Sequence, residues 1–416
     1  MYAWPKVDVP LLPRREADVP DRLSLYDTAT RELVAIEADE DEARMYVCGI
    51  TPYDATHIGH ANTYVAFDLA NRVWRDLGLA VNYTQNVTDV DDPLLERAEA
   101  TGQDWEELAE SQIELFRSDM TDLRVIPPDH YIGAVETISC VVEIIEQLLP
   151  SGLVYQVEDD EHPDWYFNSV AAPGFGGVSN LDEDEMLSVF AERGGDPDRP
   201  GKRHPLDSLL WQFARDGEPS WTSPLGAGRP GWHIECVAIS LHHLGPHFDV
   251  QGGGSDLTFP HHEMCAAQAI VASREPMAKA FVHSGMVALD GEKMSKSKGN
   301  LELVSRLRHA GADPMAIRLA LMDNHYRSDW EWDASRLDKA TERLALWRSI
   351  RNNGTALPAA GLLDQLRQAL RTDLNAPSAL QSVDAWVAGS LAIDSDDTGA
   401  IDEMVAAVDA LLGIKL

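Results

Sequence analysis

The spacing of apolar residues changes along the chain, and each change marks an element. Residues 44–50 (RMYVCGI) form a short β-rich run that ends in the turn-like TPYDATHIGH. From about Ala61 to Leu77 the apolar positions Val65, Leu69 and Val73 recur at helical spacing, which predicts an amphipathic helix. Gly78 breaks that pattern, and LAVNYTQNVTD (79–89) predicts a second strand ending in polar residues. Strand, helix and strand at this separation predict a βαβ unit with a parallel sheet. Ligands of such sheets bind beyond the carboxyl ends of the strands, where Cys48 to His60 and Asn86 to Asp91 would fall.

From about Asp92 to Pro150 the pattern is helical, with ISCVVEIIEQLL (138–149) its most apolar piece. Between about Leu153 and Arg229 short strand candidates, LVYQVED and DWYFNSV, alternate with loops rich in Gly, Pro and Asp. That stretch reads as an insertion between two halves of an α/β domain. Sheet-like runs return at HFDVQGGGSDLTFPHHE (247–263) and FVHSGMV (281–287), and after about Asp329 the chain is helical. The expected divisions are 1–150, 151–230, 231–328 and 329–416.

Composition narrows the function. With 416 residues the chain is long enough for about three structural units and a substantial core. It carries 34 Lys and Arg against 69 Asp and Glu, a net charge of −35 spread along its length. Such a surface repels polyphosphate at long range and disfavours a nucleic-acid partner. Four cysteines, Cys48, Cys140, Cys236 and Cys265, are too few for a disulfide framework. The N-terminal stretch is broken by prolines and charges, and no run of 18 apolar residues occurs. The expectation is a soluble, cytoplasmic, reduced protein with no membrane association.

Three constellations carry candidate chemistry. His57-Ile58-Gly59-His60 (HIGH) follows a strand and opens a helix. Two imidazoles around a glycine can approach a triphosphate there, aided by the positive end of the helix. The bland alternative is a loop with two surface histidines. Lys293 to Ser297 (KMSKS) and Lys298 place three lysines on a Ser/Gly-rich loop, which can stabilise charge on a transferring or leaving phosphate. A solvated basic loop is the ordinary reading of such a run, but it stands out in so acidic a chain. Cys48, Cys236 and the pair His261-His262 form a sulfur, sulfur, nitrogen set that suits Zn²⁺. Taken alone, these residues read rather as buried small hydrophobes and satisfied histidines.

HIGH and KMSKS, in this order and separation, resemble the paired signatures of class I aminoacyl-tRNA synthetases. CGITPYDATHIGH, NVTDVDDP, GWHIEC, GGGSDLTFPHHE and KMSKSKGN resemble the cysteinyl-tRNA synthetase set over most of residues 40–300. Two departures point to a sister family. Residues 191–202, AERGGDPDRPGK, resemble the ERGGDP signature of the cysteine ligases of mycothiol biosynthesis. Residues 331–416 are short for an anticodon-binding part, and hold 13 acidic against 8 basic side chains. The chain is therefore identified as resembling those ligases, which join cysteine to the amine of glucosaminyl-inositol.

The resemblance implies an α/β fold: a Rossmann-like class I synthetase catalytic domain in two halves, an inserted subdomain and a C-terminal helical region. It implies L-cysteine, ATP and glucosaminyl-inositol as substrates, Mg²⁺ brought with ATP, one Zn²⁺ per chain, no nucleic acid, and a monomer. Zinc ligands carry over to Cys48, Cys236 and His261. The synthetases' fourth ligand, a Glu four residues after that His, is Cys265 here; core packing is preferred for Cys265, as for Cys140. His57 and His60 would stabilise the transferring phosphate, and Lys293 and Lys296 the departing pyrophosphate. Cys48, Gly49, Ile50, Thr51, Thr63, Asn86, Val87, Thr88, Trp232, Gly254, Ser255, Asp256 and Val287 would line the cysteinyl-adenylate pocket. Trp232 competes with a plain core aromatic, but its place four residues before Cys236 favours the pocket. The ERGGDP loop reads equally as a polar surface turn or as a contact to the sugar hydroxyls. The rival functions are a compact cysteinyl-tRNA synthetase and a non-catalytic module that binds cysteine or adenylate.

Overall fold

The structure, a computed structural model, describes residues 1–13, 22–39, 41–53, 56–289, 291–294, 301–392 and 397–416. At its centre lies a five-stranded sheet in the order Ala278–Ser284, Phe248–Gly254, Glu42–Val47, Ala80–Val87, His130–Gly133, parallel throughout. Six of the seven residues of Phe248–Gly254 are buried, as expected for a strand covered on both faces. The first crossover helix spans Ile58–Leu77, beginning three residues before the apolar periodicity does, with His57 as its N-cap. Gly78 ends it in the left-handed conformation at φ 85°, which an L side chain would resist.

The helix joins the sheet to the C-terminal region through a buried charge cluster. Asp68 accepts from Arg72 Nε at 2.7 Å and also pairs with Arg318, all three being almost fully buried. The two guanidiniums then donate to backbone carbonyls near the C-terminus, Arg72 to Asp409 and Ala410, Arg318 to Leu412. Helices Ala334–Ser349, Ala360–Arg371, Ala376–Ala392 and Ala400–Leu412 make up the tail.

Two elements depart from the sequence reading. His130–Gly133 is an edge strand of the central sheet, within a stretch read as helical. It has four residues, of which Tyr131 and Gly133 are buried, too few to show a period of two. Trp330–Trp332, where helix was expected, is a strand parallel to Val287–Leu289. Cys140 is half-buried at the rim of the core rather than inside it.

The inserted stretch forms a separate antiparallel sheet of Val154–Gln156, Trp165–Phe167, Ser208–Phe213 and Gly228–Pro230. Among its ties to the catalytic layer are two made by Glu263 and Arg193. The buried Glu263 carboxylate accepts from the backbone N–H groups of Gly176, Val178 and Ser179 at 2.7–3.0 Å. Arg193 donates to the Phe259 carbonyl at 2.7 Å. Among the described residues, no helix is long and apolar enough to cross a membrane.

Candidate active site

Three remote segments meet at the carboxyl edge of the sheet. Cys48 follows strand Glu42–Val47, and its N–H donates to Gly252 at 3.1 Å. Cys236 lies on helix Trp232–Leu244, and His261 in the turn that leads from strand Phe248–Gly254 into helix Glu263–Ser273. Their donor atoms all lie within 4.8 Å of one another, and all three residues are buried. The Cys48 thiol donates to Cys236 and, with His261 beside it, holds the Cys236 thiol well below its usual range; burial pushes Cys48 up. Two sulfurs and one imidazole thus converge on a point. That donor set fits Zn²⁺ with an open fourth position.

Further side chains hold these groups in place. The His262 Nε2 lies 3.3 Å from Cys48 Sγ and 3.1 Å from Gln251 Nε2. His262 Nδ1 meets His283 Nε2 at 2.7 Å, and His283 Nδ1 meets Thr28 Oγ1 at 2.7 Å. Burial lowers the pKa of both histidines, that of His283 to about 4, so the chain is neutral near pH 7. His261 Nδ1 is 3.0 Å from His233 Nδ1, and the Trp232 ring stacks on His261 at 4.2 Å. Cys265 is buried as expected, yet its Sγ lies 3.8 Å from His261 Nε2. With His233 and His261 it makes a second close group that shares the same imidazole.

The HIGH segment sits opposite. His57 Nδ1 accepts from the His60 N–H at 3.3 Å, and the two rings stack with centroids 3.8 Å apart. A Cβ on Gly59 would stand 2.9 Å from the His57 ring, so only glycine lets the rings close up. The chain beyond the lysine loop returns onto this turn: Ile58 N–H donates to Glu302 at 2.9 Å, and Val304 N–H to Thr56 at 3.1 Å. The HIGH turn is therefore tied by backbone hydrogen bonds to residues 302–304, which follow the lysine run in the sequence. Lys293 pairs through its backbone with Ala288 in a two-residue strand. Lys296 lies outside the described residues.

Between these corners run the remaining predicted residues. Gly49 N–H donates to Asn86 Oδ1 at 2.8 Å, Asn86 Nδ2 to Thr88 Oγ1 at 3.2 Å, and Thr88 N–H to Ile50 at 3.0 Å. A Cβ on Gly49 would fall 1.6 Å from the Asn86 carbonyl oxygen, which excludes any other residue. Thr51 follows in the same turn, its carbonyl accepting from Tyr53 at 3.0 Å. Thr63 Oγ1 meets Ser284 Oγ at 2.7 Å. Gly254 ends the neighbouring strand, Ser255 and Asp256 form the short turn after it, and Val287 opens the strand Val287–Leu289 of a separate small sheet. Val87 is buried at the end of its strand. Behind the metal corner, burial pushes Glu235 well above the carboxylate range, and Asp89 and Asp91 to about 6.

The sequence reading did not select His233, Gln251 or His283. His233 stands three residues before Cys236 on one helix and so carries a signal, since i and i+3 share a face. Gln251 and His283 carry none, because strand register alone brings them in.

The family model for the class I (C) tRNA synthetase catalytic domain matches residues 35–342. The chain is 60% identical to the L-cysteine:1D-myo-inositol 2-amino-2-deoxy-alpha-D-glucopyranoside ligase of Thermomonospora curvata, with both chains fully covered. The proteins of the same name from Kribbella flavida and Streptomyces coelicolor are 58% and 57% identical, again over both whole chains. Among solved structures it is similar to Mycobacterium tuberculosis methionyl-tRNA synthetase in complex with methionyl-adenylate, at 14% identity and TM-score 0.62 over 89% of each chain. It is also similar to the LeuRS of Agrobacterium radiobacter K84 in its ternary complex, at 11% identity and TM-score 0.65 over 91% of this chain and 84% of that one. At those identities the likeness is one of fold.

Proposed function

The chain belongs to the family of the L-cysteine:1D-myo-inositol 2-amino-2-deoxy-alpha-D-glucopyranoside ligases, built on the class I (C) tRNA synthetase catalytic domain, and we propose how its residues perform that ligation. The protein is an ATP-dependent, amide-forming ligase of mycothiol biosynthesis. The cysteine carboxylate attacks the α-phosphate of ATP, giving cysteinyl-adenylate and pyrophosphate. The amine of the amino sugar then attacks the activated carbonyl and displaces AMP.

His57 and His60 stabilise charge on the transferring phosphate, where the start of a 20-residue helix adds its positive end. Lys293 and Lys296 receive the pyrophosphate, and Mg²⁺ arrives with ATP. Gly49, Ile50, Thr51, Thr63, Asn86, Val87, Thr88, Trp232, Gly254, Ser255, Asp256 and Val287 line the cysteinyl-adenylate pocket. Cys48, Cys236 and His261 would hold Zn²⁺, which when bound deprotonates a thiol and so separates cysteine from serine. The same reading places the enzyme in the cytoplasm, as a monomer without a nucleic-acid partner.

The observation that carries this reading is the meeting of Cys48, Cys236 and His261 at the sheet edge that also bears the HIGH turn. An acceptor competition tests it. Protein is incubated with ATP, Mg²⁺ and cysteine and offered glucosaminyl-inositol or tRNA, and the products are weighed by mass spectrometry. The reading expects the cysteinyl amide of the amino sugar and no charged tRNA. Charged tRNA would instead restore a compact cysteinyl-tRNA synthetase.

A further inference from the structure

On the insertion side of the metal corner lies a cavity of about 220 Å³, partly open to solvent, that the adenylate pocket does not use. It runs between the antiparallel sheet and the start of helix Trp232–Leu244. Trp232 is the shared wall, since the ring that lines the cavity also stacks on His261. Tyr166 and Phe190 add two further aromatic walls.

The ERGGDP loop shapes this space with its backbone. Gly194 takes φ 89°, and a Cβ there would stand 3.9 Å from the Trp232 ring. A Cβ on Gly195 would come within 2.5 Å of the Phe190 ring. Gly195 therefore lets the chain lie against Phe190, while Gly194 is needed for its positive φ rather than for its contact with Trp232. The loop's charges are engaged elsewhere: Arg193 on the Phe259 carbonyl, and Asp196 on Lys202 at 2.8 Å and on Tyr166.

The lining carboxylates divide in the same way. Asp92 is paired with Arg229, Asp164 with Arg199 and Arg215, and Asp196 with Lys202. Asp91 makes no close ion pair among the described residues, Arg229 attracting it only at longer range; its carboxylate accepts the N–H of Asp92 at 2.9 Å, as the cap of helix Asp92–Thr101. An uncommitted carboxylate repels phosphate and attracts an amine, while aromatic faces suit the C–H face of a sugar ring. Gln212, whose Nε2 donates to Glu218 at 3.0 Å, keeps its amide oxygen for a hydroxyl.

We propose that this cavity is the acceptor subsite, which seats an amine-bearing sugar ring with its nitrogen on Asp91, its hydroxyls toward Gln212 and its apolar face on Trp232. The assignment rests on the ligase reading above and adds to it the place where the second substrate binds.

The test uses Asp91→Asn, which keeps a good helix cap, and Gln212→Ala, with two assays. One is cysteine-dependent exchange between ATP and pyrophosphate, which needs no acceptor. The other is ligation, with glucosaminyl-inositol and the fragment glucosamine as acceptors. Exchange is expected to stay within about twofold of wild type in both variants. The acceptor KM should rise about tenfold or more in Asp91→Asn, and about threefold in Gln212→Ala, as expected for a charged and a neutral hydrogen bond. An unchanged acceptor KM in both variants, or exchange that falls in parallel with ligation, overturns the subsite. Wild-type protein that exchanges pyrophosphate yet ligates neither amine overturns the ligase reading itself.

Discussion

The Cys48, Cys236 and His261 cluster, proposed to hold zinc, and the HIGH turn, proposed to meet the phosphates, are built on opposite plans. Cys48, Cys236 and His261 are 6%, 1% and 1% exposed, and come from a strand end, a helix and a turn far apart in the chain. Each is backed by a further buried partner: His262 and Gln251 behind Cys48, Tyr46 beside Cys236, His233 beside His261. The HIGH turn is contiguous and half-buried, two stacked imidazoles at the start of one helix. Selection between two near-isosteric amino acids needs donors that cannot shift. Stabilising a spread phosphate charge needs cations near the pocket mouth, where ATP enters.

The sharpest way to break this contrast is Cys236→Ala. Bound zinc should be lost by metal analysis, and cysteine-dependent pyrophosphate exchange should fall by more than about 100-fold, beyond the cost of losing an outer partner. Retained exchange in a metal-free variant would remove the metal from the account. Lys296→Ala probes the other corner. Adenylate formation should slow by about 100-fold or more with little change in cysteine affinity, as when a group acts only on developing charge. Single-turnover rates at saturating cysteine would reveal this, and a wild-type rate would contradict the lysine's role.

A smaller effect is expected where the metal corner is supported from behind. His283→Phe cuts the relay from Thr28 to His262, and zinc affinity in a competition with a chelator should drop by about tenfold. The same variant carries a pH signature. His283 titrates at about 4 in the fold and near about 6.5 when unfolded. The unfolded chain therefore binds the proton more readily in between. The stability this group gives is complete above about pH 6.5 and is lost as the pH falls through about 4. Urea melts of metal-stripped protein at pH 7 and 4.5 should show a shallower loss in His283→Phe, by at most about 3 kcal/mol. Equal slopes would mean that His283 is not held neutral.

The contrast also explains what the sequence made legible. Contiguous pieces could be read directly: HIGH as a helix start, Gly78 as its stop, and the run around Met45 as a strand leading to Cys48. The proposed metal ligands could not be joined by any spacing rule, because they lie 25 to 213 residues apart and meet only in the fold. There the family resemblance supplied what periodicity lacked. Strand His130–Gly133 escaped because four edge residues hold too little pattern. Gln251 and His283 escaped because a buried polar residue on a strand looks like any other until its neighbours are known. The ERGGDP loop stayed open between a surface turn and a sugar contact for a related reason. Its charged residues drew attention, whereas the two glycines between them shape the cavity.

The central claim is that the buried corner, rather than the shape of the pocket, selects cysteine. Pyrophosphate exchange driven by cysteine and by serine should be measured on zinc-loaded and on metal-stripped protein. Apolar packing alone separates such near-isosteres by about 1–3 kcal/mol. The account predicts a larger preference for cysteine in the loaded protein and its collapse on stripping, with both recovered when zinc is restored. Undiminished preference in protein shown to be free of metal would contradict it.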